Sequence, residues 1–352
     1  MKESDYFHNR NIKCNDKIEQ LLQDLPEFCA EFFLGIESRT TPLTRMNYAY
    51  DLRIFTDFLC KKKFKDVEAH DLDFPHLEKV TATDIERFLS YLNNYEFMGK
   101  YEQCNERAKA RKLATIRSLF KYFFNKDKLS ANVAAKIETP KLHDKEIVRL
   151  DTNGEINEVS TLLSTAESGK GLSKKQRDYH RKTYIRDTAL LSLFLGTGIR
   201  ISELIGINLD DVDFSTNSFR VTRKGGNRTI LYFSDEVKED LLRYYQLRTT
   251  DQSIPREEQA FFVSMQNRRY SPRGVENLVK KYAKIVTPLK NISPHKLRST
   301  YGTALYRKTK DIYVVAEVLG HRDVNTTKKH YAAISDDIRK QASNQVILHE
   351  NE

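Results

Sequence analysis

From about residue 25 to residue 136, apolar side chains recur at helical spacing, and the pattern stops at Pro140. In "TTPLTRMNYAYDLRIFTDFLC", Thr41 reads as an N-cap and Pro42 as the first helical residue, and Tyr48, Leu52, Phe55 and Leu59 follow at i, i+4, i+7 and i+11. "VTATDIERFLSYL" offers a Thr83/Glu86 capping box, with Ile85, Phe88, Leu89 and Leu92 on one face. "NERAKARKLATIRSLFKYFFNK" aligns Leu113, Ile116, Phe120 and Phe123, with Arg107, Lys109, Arg111, Lys112, Arg117 and Lys121 around them. So basic a helix either tracks phosphates or simply shows a solvated face. These segments predict a helical bundle over residues 25–140, preceded by an N-terminal tail, 1–24.

Pro140 opens the polar stretch "ETPKLHDKEIVRLDTNG", which reads as a linker over 141–149. A second domain, 150–335, mixes two periods. Residues 184–206, 235–246, 273–286, 295–308 and 311–319 are helical in pattern, whereas "NSFRVTRKGGNRTILYFS" alternates like two strands about Gly225-Gly226. The polar insert 164–187 is longer than a minimal connection and reads as an extra basic contact surface or a mobile loop. The expected fold is mainly α: a helical-bundle domain followed by an α+β domain with a small antiparallel sheet. Residues 336–352 form a C-terminal segment, and Ile334, Ile338 and Val346 keep roughly helical spacing along the tail.

At 352 residues the chain exceeds what one core usually supports, consistent with two domains. Its net charge of +10 favours a polyanionic partner, because a Lys or Arg set on a phosphate releases condensed counterions. There is no apolar run long enough for a membrane span and no apolar segment after the charged start, which predicts a cytoplasmic protein without a membrane partner. Cys14, Cys29, Cys60 and Cys104 lack CxxC spacing, so neither zinc nor a disulfide framework is expected.

Polar residues then gather in the second domain. In "GTGIRISEL" Arg200 follows two glycines, and Glu203 stands close enough in sequence to orient a guanidinium that forks onto phosphate oxygens. Lys224 sits at the tip of the proposed hairpin, where it can deliver a proton or serve only as a solubility charge. His295 and Arg298 in "SPHKLRSTYGTAL" lie three apart in a first helical turn, a proton carrier beside a fixed charge. In "LGHRDVNTTKKHY", His321 follows a helix-breaking Gly320, and Tyr331 lies on the next predicted helix. A phenol, with a pKa near about 10, needs neighbouring cations to act as a nucleophile.

The ordered set Arg200, Lys224, His295-x-x-Arg298, His321, Tyr331 resembles that of the tyrosine recombinase (phage integrase) family. The family pattern is Arg, Lys, His-x-x-Arg, His or Trp, Tyr, and the resemblance covers nearly the whole chain. It implies a SAM-like core-binding domain ahead of the catalytic domain. With about 25 residues before the helical region, it points to an Xer-like layout rather than one with a separate arm-binding domain.

The resemblance further implies site-specific recombination of double-stranded DNA through a 3′-phosphotyrosine, without cofactor or metal. The setting is mobile-element integration and excision or chromosome dimer resolution, by a monomer that assembles as a homotetramer on DNA and exchanges its C-terminal segment between subunits. One departure stands out: many relatives place the nucleophile nine residues after the "LGH" histidine, where this chain has His330, and Tyr331 is at ten. Competing readings are a non-catalytic DNA-binding module, a type IB topoisomerase and a zinc hydrolase using His295, His321 and His330.

Overall fold

The computed structural model describes residues 5–142, 148–152, 157–223, 226–320 and 324. The chain divides into two compact units, Met1–Lys145 and Glu146–Glu352, and the division falls inside the polar stretch after Pro140.

The first unit contains α1 (Asp5–Leu22), α2 (Glu27–Gly35), α3 (Pro42–Lys62), α4 (Phe74–Glu78), α5 (Ala82–Tyr91), a hairpin of β1 (Tyr95–Phe97) and β2 (Lys100–Glu102), and α6 (Glu106–Phe124). Thr41 caps α3 as expected, its hydroxyl accepting from the Thr44 N–H at 3.3 Å, with Pro42 leading the helix. The core is aromatic: Phe32, Phe55, Phe88, Phe120 and Phe123 are fully buried, and the Phe55 and Phe88 rings meet edge-on at 5.1 Å. Truncating Phe88 to Ala would cost about 3–5 kcal/mol through the lost burial and the cavity left behind.

Four details differ from the expectation. Residues 1–24 are not a plain tail, because α1 buries Phe7, Cys14, Ile18 and Leu21. A hairpin interrupts the bundle: Met98 and Gly99 take φ of 52° and 72° between the paired Phe97 and Lys100, the signature of a type I′ turn. The box that starts α5 is Thr81/Asp84 and not Thr83/Glu86, since the Asp84 carboxylate accepts from the Thr81 N–H at 2.9 Å and Thr81 Oγ1 from the Asp84 N–H at 3.2 Å.

The fourth concerns α6, whose basic residues are largely spent inside the unit. Lys112 Nζ (2.9 Å), Arg111 Nη1 (2.5 Å) and Thr115 Oγ1 (3.0 Å) all donate to the buried Asp51 carboxylate. Lys109 is tied to Asn93 and Glu106, and Arg117 to the Ala134 and Ile137 carbonyls and to Thr139. Only Arg107 and Lys121 of the six remain exposed without such ties described.

The second unit contains α7 (Glu158–Ser168), α8 (Lys174–Thr197), α9 (Ile201–Ile205), β3 (Val212–Asp213), β4 (Ser218–Thr222), β5 (Arg228–Tyr232), α10 (Asp235–Thr250), α11 (Pro272–Val286), α12 (Pro294–Thr309) and α13 (Ile312–Leu319). The strands form one antiparallel sheet in the order β3-β4-β5, with Thr222 opposite Arg228 at the hairpin end.

Helix α8 is the central element, packed on α7, α10 and α12. Its stretch from Ala189 to Phe194 is buried all round, which explains why no single apolar stripe marks it. The insert 164–187 is not a loop: it is the end of α7, a turn and the first turns of α8, begun by a Ser173/Gln176 capping box. Asp187 anchors this region from inside. Its carboxylate accepts from Arg186 Nη2 (2.7 Å), Lys281 Nζ (2.9 Å), Tyr282 OH (2.8 Å) and Thr183 Oγ1 (3.1 Å). Burial opposes its ionisation, but the Arg186 and Lys281 charges and hydrogen bonds outweigh that and hold the carboxyl below its usual range.

Candidate active site

Helix α8 ends at Gly198, whose φ of 62° closes the helix in the left-handed conformation. Glycine is required there twice over: apart from the backbone conformation, a Cβ would stand 2.5 Å from Tyr301 Cδ1 and 2.8 Å from Leu319 Cδ2. Two residues later Arg200 takes the N-cap position of α9, with extended backbone. Its N–H donates to Glu203 Oε2 at 3.0 Å and its Nη1 to Glu203 Oε1 at 2.7 Å, so the carboxylate clamps both the backbone and the head of the same residue. Glu203 is 2% exposed, and a buried carboxylate needs that cation. The remaining arm of Arg200 donates from Nη2 to the Gly320 carbonyl at 3.0 Å.

Pro294 sets the first residue of α12, placing His295 and Arg298 one turn apart. His295 is exposed, whereas Arg298 is buried. Arg298 Nη1 donates to the Gly198 carbonyl at 2.6 Å and its Nη2 to the Leu319 carbonyl. The two predicted arginines, from different helices, therefore converge on consecutive carbonyls at the end of α13. The helix stops there because Gly320 turns left-handed at φ 62°.

A third arginine, which the sequence reading passed over, joins them. Arg223 follows β4 and reaches the preceding carbonyl, Val318, with Nη2 at 3.4 Å. Its guanidinium lies so close to Gly320 that a Cβ there would be 1.4 Å from Nη1. Burial pushes its pKa down, Glu203 pulls it up and Arg200 pushes it down again, with a net lowering. Carbonyls 318, 319 and 320 thus each receive one guanidinium, and a terminus that leaves carbonyls orphaned is a favourable place for cations.

Lys224, at the hairpin tip, lies outside the described residues, as do His321 and Tyr331. The hairpin that carries Lys224 is the one expected, closed by Arg223 N–H to Asn227 O at 2.8 Å and Gly226 N–H to Arg223 O at 3.0 Å. The described neighbours of Lys224 and His321, namely Arg223 and Gly320, are in contact with each other. The only signal for Arg223 in the sequence was its adjacency to Lys224.

Arginine heads fixed by buried partners suit a chemistry in which negative charge grows on phosphate oxygens. Together with the two-unit fold and the basic composition, they fit the class of enzymes acting on nucleic-acid phosphodiesters. Residues 155–337 match the phage integrase family model. The chain is 31% identical to tyrosine recombinase XerC of Caldanaerobacter subterraneus subsp. tengcongensis, over 91% of this chain and 85% of that protein. It is 28% identical to tyrosine recombinase XerS of Lactococcus lactis subsp. cremoris, over 91% and 95%.

In fold it is similar to the XerH site-specific recombinase bound to palindromic difH substrate. That similarity has a TM-score of 0.61 at 18% identity and covers 86% of this chain and 80% of that one.

The chain belongs to the phage integrase family, as an Xer-like tyrosine recombinase. Its activity is the site-specific cutting and rejoining of DNA that defines tyrosine recombinases. Among the described residues no helix is long and apolar enough to cross a membrane.

Proposed function

We propose that Arg200, Lys224, His295, Arg298, His321 and Tyr331 are the residues that carry strand exchange in this chain. The observation that supports this most is the convergence of Arg200 and Arg298 on the Gly320 and Leu319 carbonyls, immediately before His321.

Tyr331 attacks the scissile phosphorus, forming the P–O(Tyr) bond as the P–O5′ bond breaks. The phenolic proton leaves with help from His295, and the departing 5′-oxygen takes a proton from Lys224. Arg200, Arg298 and His321 hold the non-bridging oxygens as charge builds. Loss of one such preorganised donor costs roughly 10²–10³ in rate. A 5′-hydroxyl from the partner duplex reverses the step, and because the ester energy is kept in the phosphotyrosine, no nucleotide cofactor enters.

The first unit would then grip the recombination site as the core-binding domain, with a cytoplasmic monomer assembling as a homotetramer on DNA. Exchange of residues 336–352 between subunits would hold that tetramer together. Gel filtration with site DNA separates the outcomes: a chain ending at residue 335 should lose the tetramer, and unchanged assembly would refute the exchange.

The catalytic assignment is tested on a nicked duplex that traps the covalent intermediate. Wild type should give an SDS-resistant adduct and Tyr331→Phe none, and an adduct that survives in Tyr331→Phe refutes the nucleophile.

A further inference from the structure

Arg223 has a place in the structure that the six-residue set does not account for. It is the last residue before the hairpin tip, and its backbone closes that tip with hydrogen bonds of 2.8 Å to Asn227 O and 3.0 Å from Gly226 N. In sequence, Arg223 is followed by Lys224 and two glycines. At Gly226, φ is 85° and an added Cβ would meet nothing among the described residues within 4 Å.

The Arg223 side chain crosses from the sheet to α13, donating from Nη2 to Val318 O at 3.4 Å and placing its guanidinium against Gly320. Among the described residues its Nε is buried without a hydrogen-bond partner. A buried donor left unpaired costs about 1–3 kcal/mol. The guanidinium fills the space that a Cβ on Gly320 would need, so the contact requires glycine at that position.

We propose that Arg223 is a positioning residue that locks the Lys224 hairpin to the end of α13, setting the proton donor against the phosphate held by Arg200 and Arg298. This rests on Lys224 being the acid that protonates the 5′-oxygen. Arg200 and Arg298 reach the adjacent carbonyls of the same helix end, so one short segment, Val318–Gly320, fixes both the phosphate grip and the donor. Arg223 itself touches neither substrate nor proton. Its effect is on where Lys224 stands when the P–O5′ bond breaks and the Nζ proton passes to the oxygen.

The test uses the full chain in single-turnover cleavage of two nicked duplexes. One has the ordinary 5′-oxygen at the scissile bond, and the other has a 5′-bridging sulfur, a thiolate leaving group that needs no proton. Arg223→Ala should slow cleavage of the ordinary ester by roughly 10- to 100-fold and restore most of the rate with the bridging sulfur, as Lys224→Ala should. Gly320→Ala strikes the same contact from the other side and should give the same pattern. Adding Arg223→Ala to it should slow the ordinary ester little further, because the clashing atoms are gone.

If Lys224→Ala is rescued by sulfur and both Arg223→Ala and Gly320→Ala are not, Arg223 does not position the donor. Full activity of Arg223→Ala on the ordinary ester overturns the inference as well. If Lys224→Ala is itself not rescued, the assignment of Lys224 as the acid fails, and the inference with it.

Discussion

Arg298 donates from Nη1 to the carbonyl of Gly198 at 2.6 Å, binding the first turns of α12 to the C-cap of α8. That bond joins the two parts of the second unit that carry the predicted arginines, because Arg200 begins α9 two residues after Gly198. A substitution at Gly198 should therefore act on both. Gly198→Ala meets the Tyr301 and Leu319 side chains and forces an L-residue to φ 62°. It should lower unfolding stability by about 1–3 kcal/mol and reduce cleavage at least tenfold. Urea denaturation beside a single-turnover assay checks both, and a variant with lowered stability but full cleavage would show that the arginines do not depend on this corner.

Asp187 supplies a pH prediction. Its folded pKa is held below the unfolded value, so its stabilisation is fully present above the unfolded value near about 4 and is lost as pH falls through the folded one. Unfolding stability of the wild type should drop steeply below pH about 4. Asp187→Asn should be less stable by about 3–5 kcal/mol at neutral pH, since Arg186 and Lys281 lose their buried counter-charge, and its acid slope should be shallower. Chemical denaturation from pH 3 to 7 measures both, and parallel curves for the two proteins would assign the acid sensitivity elsewhere.

On α6, Lys112 and Arg107 look alike in sequence and differ in the fold. Lys112→Ala removes a buried partner of Asp51 and should cost about 3 kcal/mol. Arg107→Ala, on an exposed position, should stay within about 0.5 kcal/mol of wild type. Equal effects in denaturant titrations would contradict this division of the helix's charge.

Those two residues also show where sequence reading stops. The stripe of Leu113, Ile116, Phe120 and Phe123 was legible because a buried helix face repeats locally, and α10 to α13 were found for the same reason. The role of Lys112 depends on Asp51, some sixty residues away, and no local pattern records that pairing. Helix α1 was missed because charged residues interleave its four buried side chains, and the β1-β2 turn because Met98-Gly99 is not one of the usual type I′ pairs.

In the site, Arg200 with Glu203, and His295 with Arg298, lie within one turn of each other and could be read as units. Arg223 could not, because the carbonyl it meets lies ninety-five residues on. Its contact with Val318 and Gly320 forms only once α13 is folded against the hairpin.

The account turns on which side chain becomes joined to DNA, since His330 and Tyr331 are adjacent, nine and ten residues after His321. The most direct measurement is proteolysis of the wild-type covalent adduct and mass spectrometry of the nucleotide-bearing peptide. The account predicts a 3′-phosphate ester on Tyr331. A modification on His330, or on any other tyrosine, would contradict it.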